Sequence, residues 1–317
     1  MNGTARTVTG DRPVSELGPV YMHEHLIIDS PLVAAEWPHI HLPSEIEAAA
    51  EVGRCAAAGV GAMVDAMPAG AGREVRRLAA VAIETGVSIV ATTGMHTTKY
   101  YRDVPWADEP ADRLAAWFIA DIEDGIDTWD YRGATIERTG HRAGIIKVAS
   151  EGEQLTKRDW RLFEAAVTAA RQTGAPILTH TEGGRGGLAQ IEAVTGLGFP
   201  ASRVALSHTD KVDDRGYHRE MLSSGAYLCY DQALRWEEEN RTAALISEMV
   251  AAGFTAQLMV GTDGARRSLW RTLGGSPGLD YLHTAFRDEL AGRDVPPSVI
   301  DMLFVDNPHR FLTIRSG

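Results

Sequence analysis

The chain has 317 residues, 44% hydrophobic and 23% charged, which is enough to bury a large core and too apolar for a disordered protein. A formal net charge of −12 argues against recognition of a phosphate backbone, so no nucleic-acid partner is expected. The two cysteines, Cys55 and Cys229, make no disulfide framework or Cys-x-x-Cys signature, the N-terminal stretch has no apolar signal region, and no run approaches a membrane span; a soluble, cytoplasmic protein without a membrane partner is the expectation.

In chain order the first predicted element is a β-hairpin in "RTVTGDRPVSELGPV", closing one end of whatever follows. Then come eight short apolar runs: "VYMHEHL" (20–26), "GAMVDAM" (61–67), "VSIVATTG" (87–94), "GIIKVAS" (144–150), "APILTH" (175–180), "RVALSH" (203–208), "AYLCYD" (226–231) and "AQLMVGTD" (256–263). They are near-continuous rather than alternating, as parallel strands covered on both faces should be. Helical patterns separate them, such as "SEIEAAAEVGRCAAAG", which opens on Ser44 and Glu47 as a capping box, and "KRDWRLFEAAVTAARQTG". Gly59, Gly86, Gly174 and Gly253 stand where left-handed helix caps belong, just ahead of strands. Eight such βα units predict an α/β protein, one TIM (β/α)8-barrel domain over 1–317 with the short N-terminal β-hairpin.

The strand ends are too polar for a plain core. His23 and His25 lie two apart, so on a strand they share a face, with Glu24 on the other. Lys147 interrupts the fourth strand, and His180, His208, Asp231 and Asp263 end the fifth to eighth. In a TIM barrel these ends form one rim, where active sites sit, so residues spread over most of the chain converge. Each alone reads as a satisfied core or rim residue; together they read as a metal site. An ammonium at Lys147 is disfavoured by burial and by neighbouring cations, which leaves a neutral amine able to take up carbon dioxide as a carbamate. A lysine reaching solvent or pairing with Asp263, and a Schiff-base lysine, are the alternatives.

The segments "HEHL", "GIIKVAS", "ILTHTEGG", "LSHTDK", "GTDGARRSLW" and "NPHRFL", in this order and on these strands, resemble the phosphotriesterase-like family of the amidohydrolase superfamily over essentially the whole chain. The resemblance implies two divalent metal ions, zinc foremost, with manganese, cobalt or iron also suited to the ligands. His23, His25 and Asp263 would bind the inner ion and His180 and His208 the outer one, with carboxylated Lys147 and a hydroxide bridging them. Asp263 would be catalytic, taking the proton of the attacking hydroxide. Glu24 would turn into the scaffold, so that Glu24→Gln disturbs stability more than metal content. Family members are often dimers, so the resemblance also implies a homodimer.

Loops decide the substrate. His96, in "GMHTTKYY", stands where many lactonases and phosphotriesterases of the family have tyrosine or tryptophan, and Leu269 stands where an aromatic is common. Lys99, Lys211, Arg266 and Arg267 place cations around the site of an acidic protein, which suits an anionic small molecule unless they pair with Asp210, Asp213 and Asp214. Tyr100, Trp236 and Trp270 are candidate pocket walls. These stretches look most like the sugar-lactonase branch of the family, which implies a lactonase acting on a sugar or phosphosugar lactone. A phosphotriesterase or an amidase on a small N-acyl compound is the alternative, and a non-catalytic metal-binding barrel the third reading.

Overall fold

The computed structural model describes residues 3–236 and 238–315. Strands β1 (Thr4–Thr7) and β2 (Gly10–Pro13) form an antiparallel hairpin. Eight parallel strands follow, each hydrogen-bonded to the next: β3 (Val20–Glu24), β4 (Ala62–Asp65), β5 (Ser88–Met95), β6 (Ala143–Ser150), β7 (Ile177–Thr181), β8 (Val204–Ser207), β9 (Tyr227–Tyr230) and β10 (Leu258–Val260). Every residue of these eight strands is buried, because helices cover the outside and side chains fill the inside. Met22, Val64, Val90, Ile145, Leu178 and Met259 belong to the inner cluster. The structure is thus the α/β barrel that the alternation of runs predicts.

The barrel is nearly closed. β3 and β10 share no full ladder, yet the N–H of Asp263 donates to the His23 carbonyl at 2.9 Å and that of Thr262 at 3.2 Å. Gly261 permits this approach, since a Cβ there would come within 2.7 Å of the His23 nitrogen. Glu24 completes the seam: its carboxyl accepts from the Thr262 N–H at 2.8 Å and contacts the Thr262 hydroxyl. Glu24 therefore faces the scaffold. The hairpin packs under the opposite end, where Val8 N–H donates to the Ile89 carbonyl at 2.8 Å.

Strands are shorter than the apolar runs. His25, His208, Asp231 and Asp263 lie just past the strand ends, and His208 and Asp263 adopt positive φ (66° and 45°) that turns the chain off the rim. Gly59, Gly86, Gly174 and Gly253 all have positive φ, as expected of caps. The expected capping box at Ser44 is only half made: Ser44 accepts from the Glu47 N–H without a return bond. The complete box is Thr156 with Asp159, ahead of the helix Lys157–Thr173.

Candidate active site

Lys147 stands in mid-β6 with no exposed surface, directly opposite Gly94 of β5. A Cβ at Gly94 would fall 1.9 Å from the Lys147 carbonyl oxygen, so glycine is what lets β5 lie against the lysine. Burial pulls the Lys147 ammonium down to about 8. Its Nζ lies 3.3 Å from His23 Nε2 and makes no ion pair with Asp263 among the described residues. The alternative of a lysine reaching solvent is ruled out by its burial.

Around it the rim histidines form a chain of rings. His25 and His23 have centroids 5.3 Å apart, His23 and His208 4.7 Å, His208 and His180 4.6 Å, and His180 and His96 4.5 Å. His23, His208 and Asp263 each offer one ligand atom, all within 4.8 Å of one another. The outward nitrogens are held by carboxylates. Asp231 Oδ1 lies 2.8 Å from His208 Nδ1, and its Oδ2 lies 2.9 Å from His23 Nδ1, off the line of a good hydrogen bond. Glu182 Oε2 lies 3.0 Å from His180 Nε2. His25 Nε2 is 3.5 Å from Asp263 Oδ1. The Nδ1 atoms of His25 and His180 are buried without a partner among the described residues. Buried imidazole nitrogens left unpaired, beside others oriented by carboxylates, are what a metal centre needs and a plain core does not tolerate. The residues fit the metal.

The electrostatics agree. Burial lowers His23 to about 4, keeping the ring neutral as a ligand must be. Burial also drives His96 and His208 well down. For Asp263 burial would raise the carboxyl, but Arg235 and the histidines outweigh it and hold it well below the usual range. Arg235 grips Asp263 Oδ2 at 2.6 Å.

The centre opens into a cavity of ≈ 220 Å³. Of the predicted substrate-contacting residues, His96, Lys99, Tyr100, Lys211 and Arg266 line it. Arg267 does not; it donates to the His41 carbonyl at 3.1 Å. Trp270, expected as a wall, is buried in the core under its own loop, where its Nε1 donates to the Gly264 carbonyl. Trp236 donates to Thr242 Oγ1 and also lies off the cavity. The expected rival partners of the cations are occupied elsewhere. Asp213 pairs with Arg215, Asp214 caps the helix Arg215–Ser223, and Asp210 accepts from the Asp231 and Gln232 N–H groups and Thr242. Arg266 has its charged form disfavoured chiefly by Arg235 nearby and then by burial.

The sequence reading left out Arg235, Glu182 and the role of Asp231. Asp231 was visible as a strand-end acid on β9. Nothing in the pattern marks Arg235, which reaches the site from the turn Ala233–Arg235, or Glu182, from the turn Glu182–Gly184.

A (β/α)8 barrel whose C-terminal rim gathers buried histidines, aspartates and a lysine defines a metal-dependent hydrolase scaffold. The chain belongs to the phosphotriesterase family, whose sequence model it matches over residues 3–312, and it is a hydrolase of that family. It is 27% identical to a phospho-furanose lactonase of Mycoplasmopsis synoviae over 98% of this chain and 92% of that one. It is 34% identical to the phosphotriesterase homology protein of Mycobacterium tuberculosis over 71% and 69% of the two chains. Among solved structures it superposes on a lactonase from Listeria monocytogenes with a TM-score of 0.90 at 26% identity, covering 98% of this chain and 99% of the other.

Proposed function

We propose that the protein is a binuclear metal-dependent lactonase that opens a small lactone bearing an anionic group, of the phosphosugar kind. The observation that carries this reading is the set of cations Lys99, Lys211 and Arg266, beside Arg235 on Asp263, around a small cavity above the histidine cluster. Among the described residues Lys99, Lys211 and Arg266 make no ion pair, and an anion would relieve that crowding. A volume of ≈ 220 Å³ falls below the roughly 300–1,000 Å³ of pockets for drug-sized ligands, which disfavours a bulky aryl phosphotriester. The likeness to phospho-furanose lactonases supports the same choice.

His23, His25, Lys147, His180, His208 and Asp263 would hold two divalent ions, for which zinc suits the nitrogen-rich set, with Lys147 as its carbamate. When bound, the ions would supply an acidified water and a polarised carbonyl. The protein does the rest. Asp263, ionised and fixed through Oδ2 by Arg235, accepts the proton of the attacking water and returns it to the ring oxygen as the acyl C–O bond breaks, giving a hydroxy acid. Asp231 holds His208 through Nδ1 and stands 2.9 Å from His23 Nδ1, and the cationic wall orients the substrate.

The test is hydrolysis of sugar γ- and δ-lactones, with and without phosphate, beside acyl-homoserine lactones and one aryl phosphotriester. Protein supplied with zinc and bicarbonate is compared with Lys147→Ala. Turnover of phosphorylated lactones that is lost in the variant is expected. Lactone silence with two ions bound per chain would refute the lactonase; silence with no ion bound would refute the metal centre as well.

A further inference from the structure

His180 is the one histidine of β7 and meets the cavity, and its ring has two different surroundings. Nδ1 is buried and unpartnered among the described residues, while Nε2 lies 3.0 Å from Glu182 Oε2. A carboxylate only accepts, so the ring proton belongs on Nε2 and the lone pair on Nδ1. Glu182 is not a loose surface acid. It opens the turn Glu182–Gly184, whose two glycines have positive φ (60° and 83°). At Gly184 a Cβ would come within 2.8 Å of the His208 carbonyl oxygen and 3.1 Å of Lys211 Cβ. The turn is therefore pressed against the turn Thr209–Lys211, which follows His208. The turn that carries the carboxylate is fixed relative to both outer histidines.

From this we propose that Glu182 is a positioning residue: it locks the His180 tautomer and ring angle, and so sets the affinity of the outer of the two metal positions. The inference rests on the binuclear reading above and adds a residue to it. Outer carboxylates of this kind change metal affinity by about 10–100-fold when removed. Glu182 differs from Asp231 in place, since its side chain is half exposed at the cavity mouth, so its loss leaves the core intact.

The experiment titrates the metal-free, full-length protein with Zn²⁺ against a chelating indicator, for wild type, Glu182→Ala and Glu182→Gln. Two ions per chain are expected for wild type. In Glu182→Ala the affinity of one position should fall about 10–100-fold while the other is unchanged. Glu182→Gln, which keeps an acceptor oxygen for the Nε2 proton, should lose less. Long-range ¹⁵N–¹H spectra of the metal-free protein should show His180 protonated on Nε2 in wild type and mixed in Glu182→Ala, with an unchanged melting temperature. Unchanged affinity at both positions, or His180 protonated on Nδ1 in wild type, overturns the proposal alone. Equal weakening at both positions together with a lower melting temperature also overturns it, because the role would then be structural. Fewer than two ions in wild type overturns the binuclear reading and this proposal with it.

Discussion

Replacing Glu24 separates scaffold from ligand. Its side chain has no exposed surface, and it holds the seam between the first and last barrel strands by accepting from the Thr262 N–H at 2.8 Å and meeting the Thr262 hydroxyl. Burial pushes its carboxyl well above the usual range, so the neutral acid is the form that fits. Glu24→Ala leaves a buried amide and a buried hydroxyl unpaired. At about 1–3 kcal/mol each, the loss is about 2–6 kcal/mol, a large share of the ~5–15 kcal/mol that holds a typical domain. Glu24→Gln repeats the pattern of a neutral acid, with its oxygen toward the amide and its NH₂ toward the hydroxyl, so it should cost no more than about 0.5–1.5 kcal/mol. Urea unfolding at fixed metal, with metal content of the folded protein measured by elemental analysis, reads both. The expected result is a much lower midpoint for alanine, a small shift for glutamine, and unchanged metal per folded chain in both. Loss of metal in Glu24→Ala at an unchanged midpoint would show that Glu24 is a ligand and that the seam is held elsewhere.

Arg73 is buried and donates to Asp130 Oδ1 at 2.7 Å, Asp121 Oδ2 at 3.1 Å and the Thr92 carbonyl at 2.7 Å. Among the described residues Arg73→Ala leaves the buried Asp130 carboxylate with only the Gly70 N–H, while Asp121 keeps Arg138, Tyr131 and Thr93; the change should cost about 3–5 kcal/mol in urea unfolding, against which a shift below about 1 kcal/mol would tell. Arg266→Ala should raise KM for a phosphorylated lactone by about 10–100-fold, the worth of a charged hydrogen bond, while leaving the unphosphorylated lactone little changed; equal effects on both would remove Arg266 from anion recognition. His283 is lowered to about 4, first by burial and then by Arg287. Because the folded value lies below the unfolded one near 6.5, its contribution to stability is present above pH ~6.5 and is lost as the pH falls toward 4. His283→Gln should therefore flatten the fall in melting temperature across that window, and parallel curves for variant and wild type would count against it.

The strands were legible because both their faces are covered, so their apolar runs stand out; β6 begins one residue from its expected start. The rim residues were legible because they interrupt those runs. Exact strand ends were not, since His208 and Asp263 leave the sheet through left-handed backbone that no side-chain pattern marks. Loop chemistry was legible only in part. Trp270 and Arg266 lie four residues apart on one loop, yet the first folds back under Gly264 and the second faces the cavity. That choice depends on packing from elsewhere in the chain. Arg235 and Glu182 were missed for the same reason: a single charged residue in a short turn has no periodicity to betray its direction.

The seam between β3 and β10 has a temporal side. Glu24 and Thr262 are 238 residues apart in sequence, and their neighbours His23, His25 and Asp263 are the proposed ligands of a single ion. A chain still emerging during synthesis carries its histidine pair long before it carries the aspartate, so on the proposed reading an ion caught early would meet an incomplete set. The set would be complete only when the last strand docks against the first. Cargo and closure would then share one seam, and a protein cut short before β10 would lose both in one stroke.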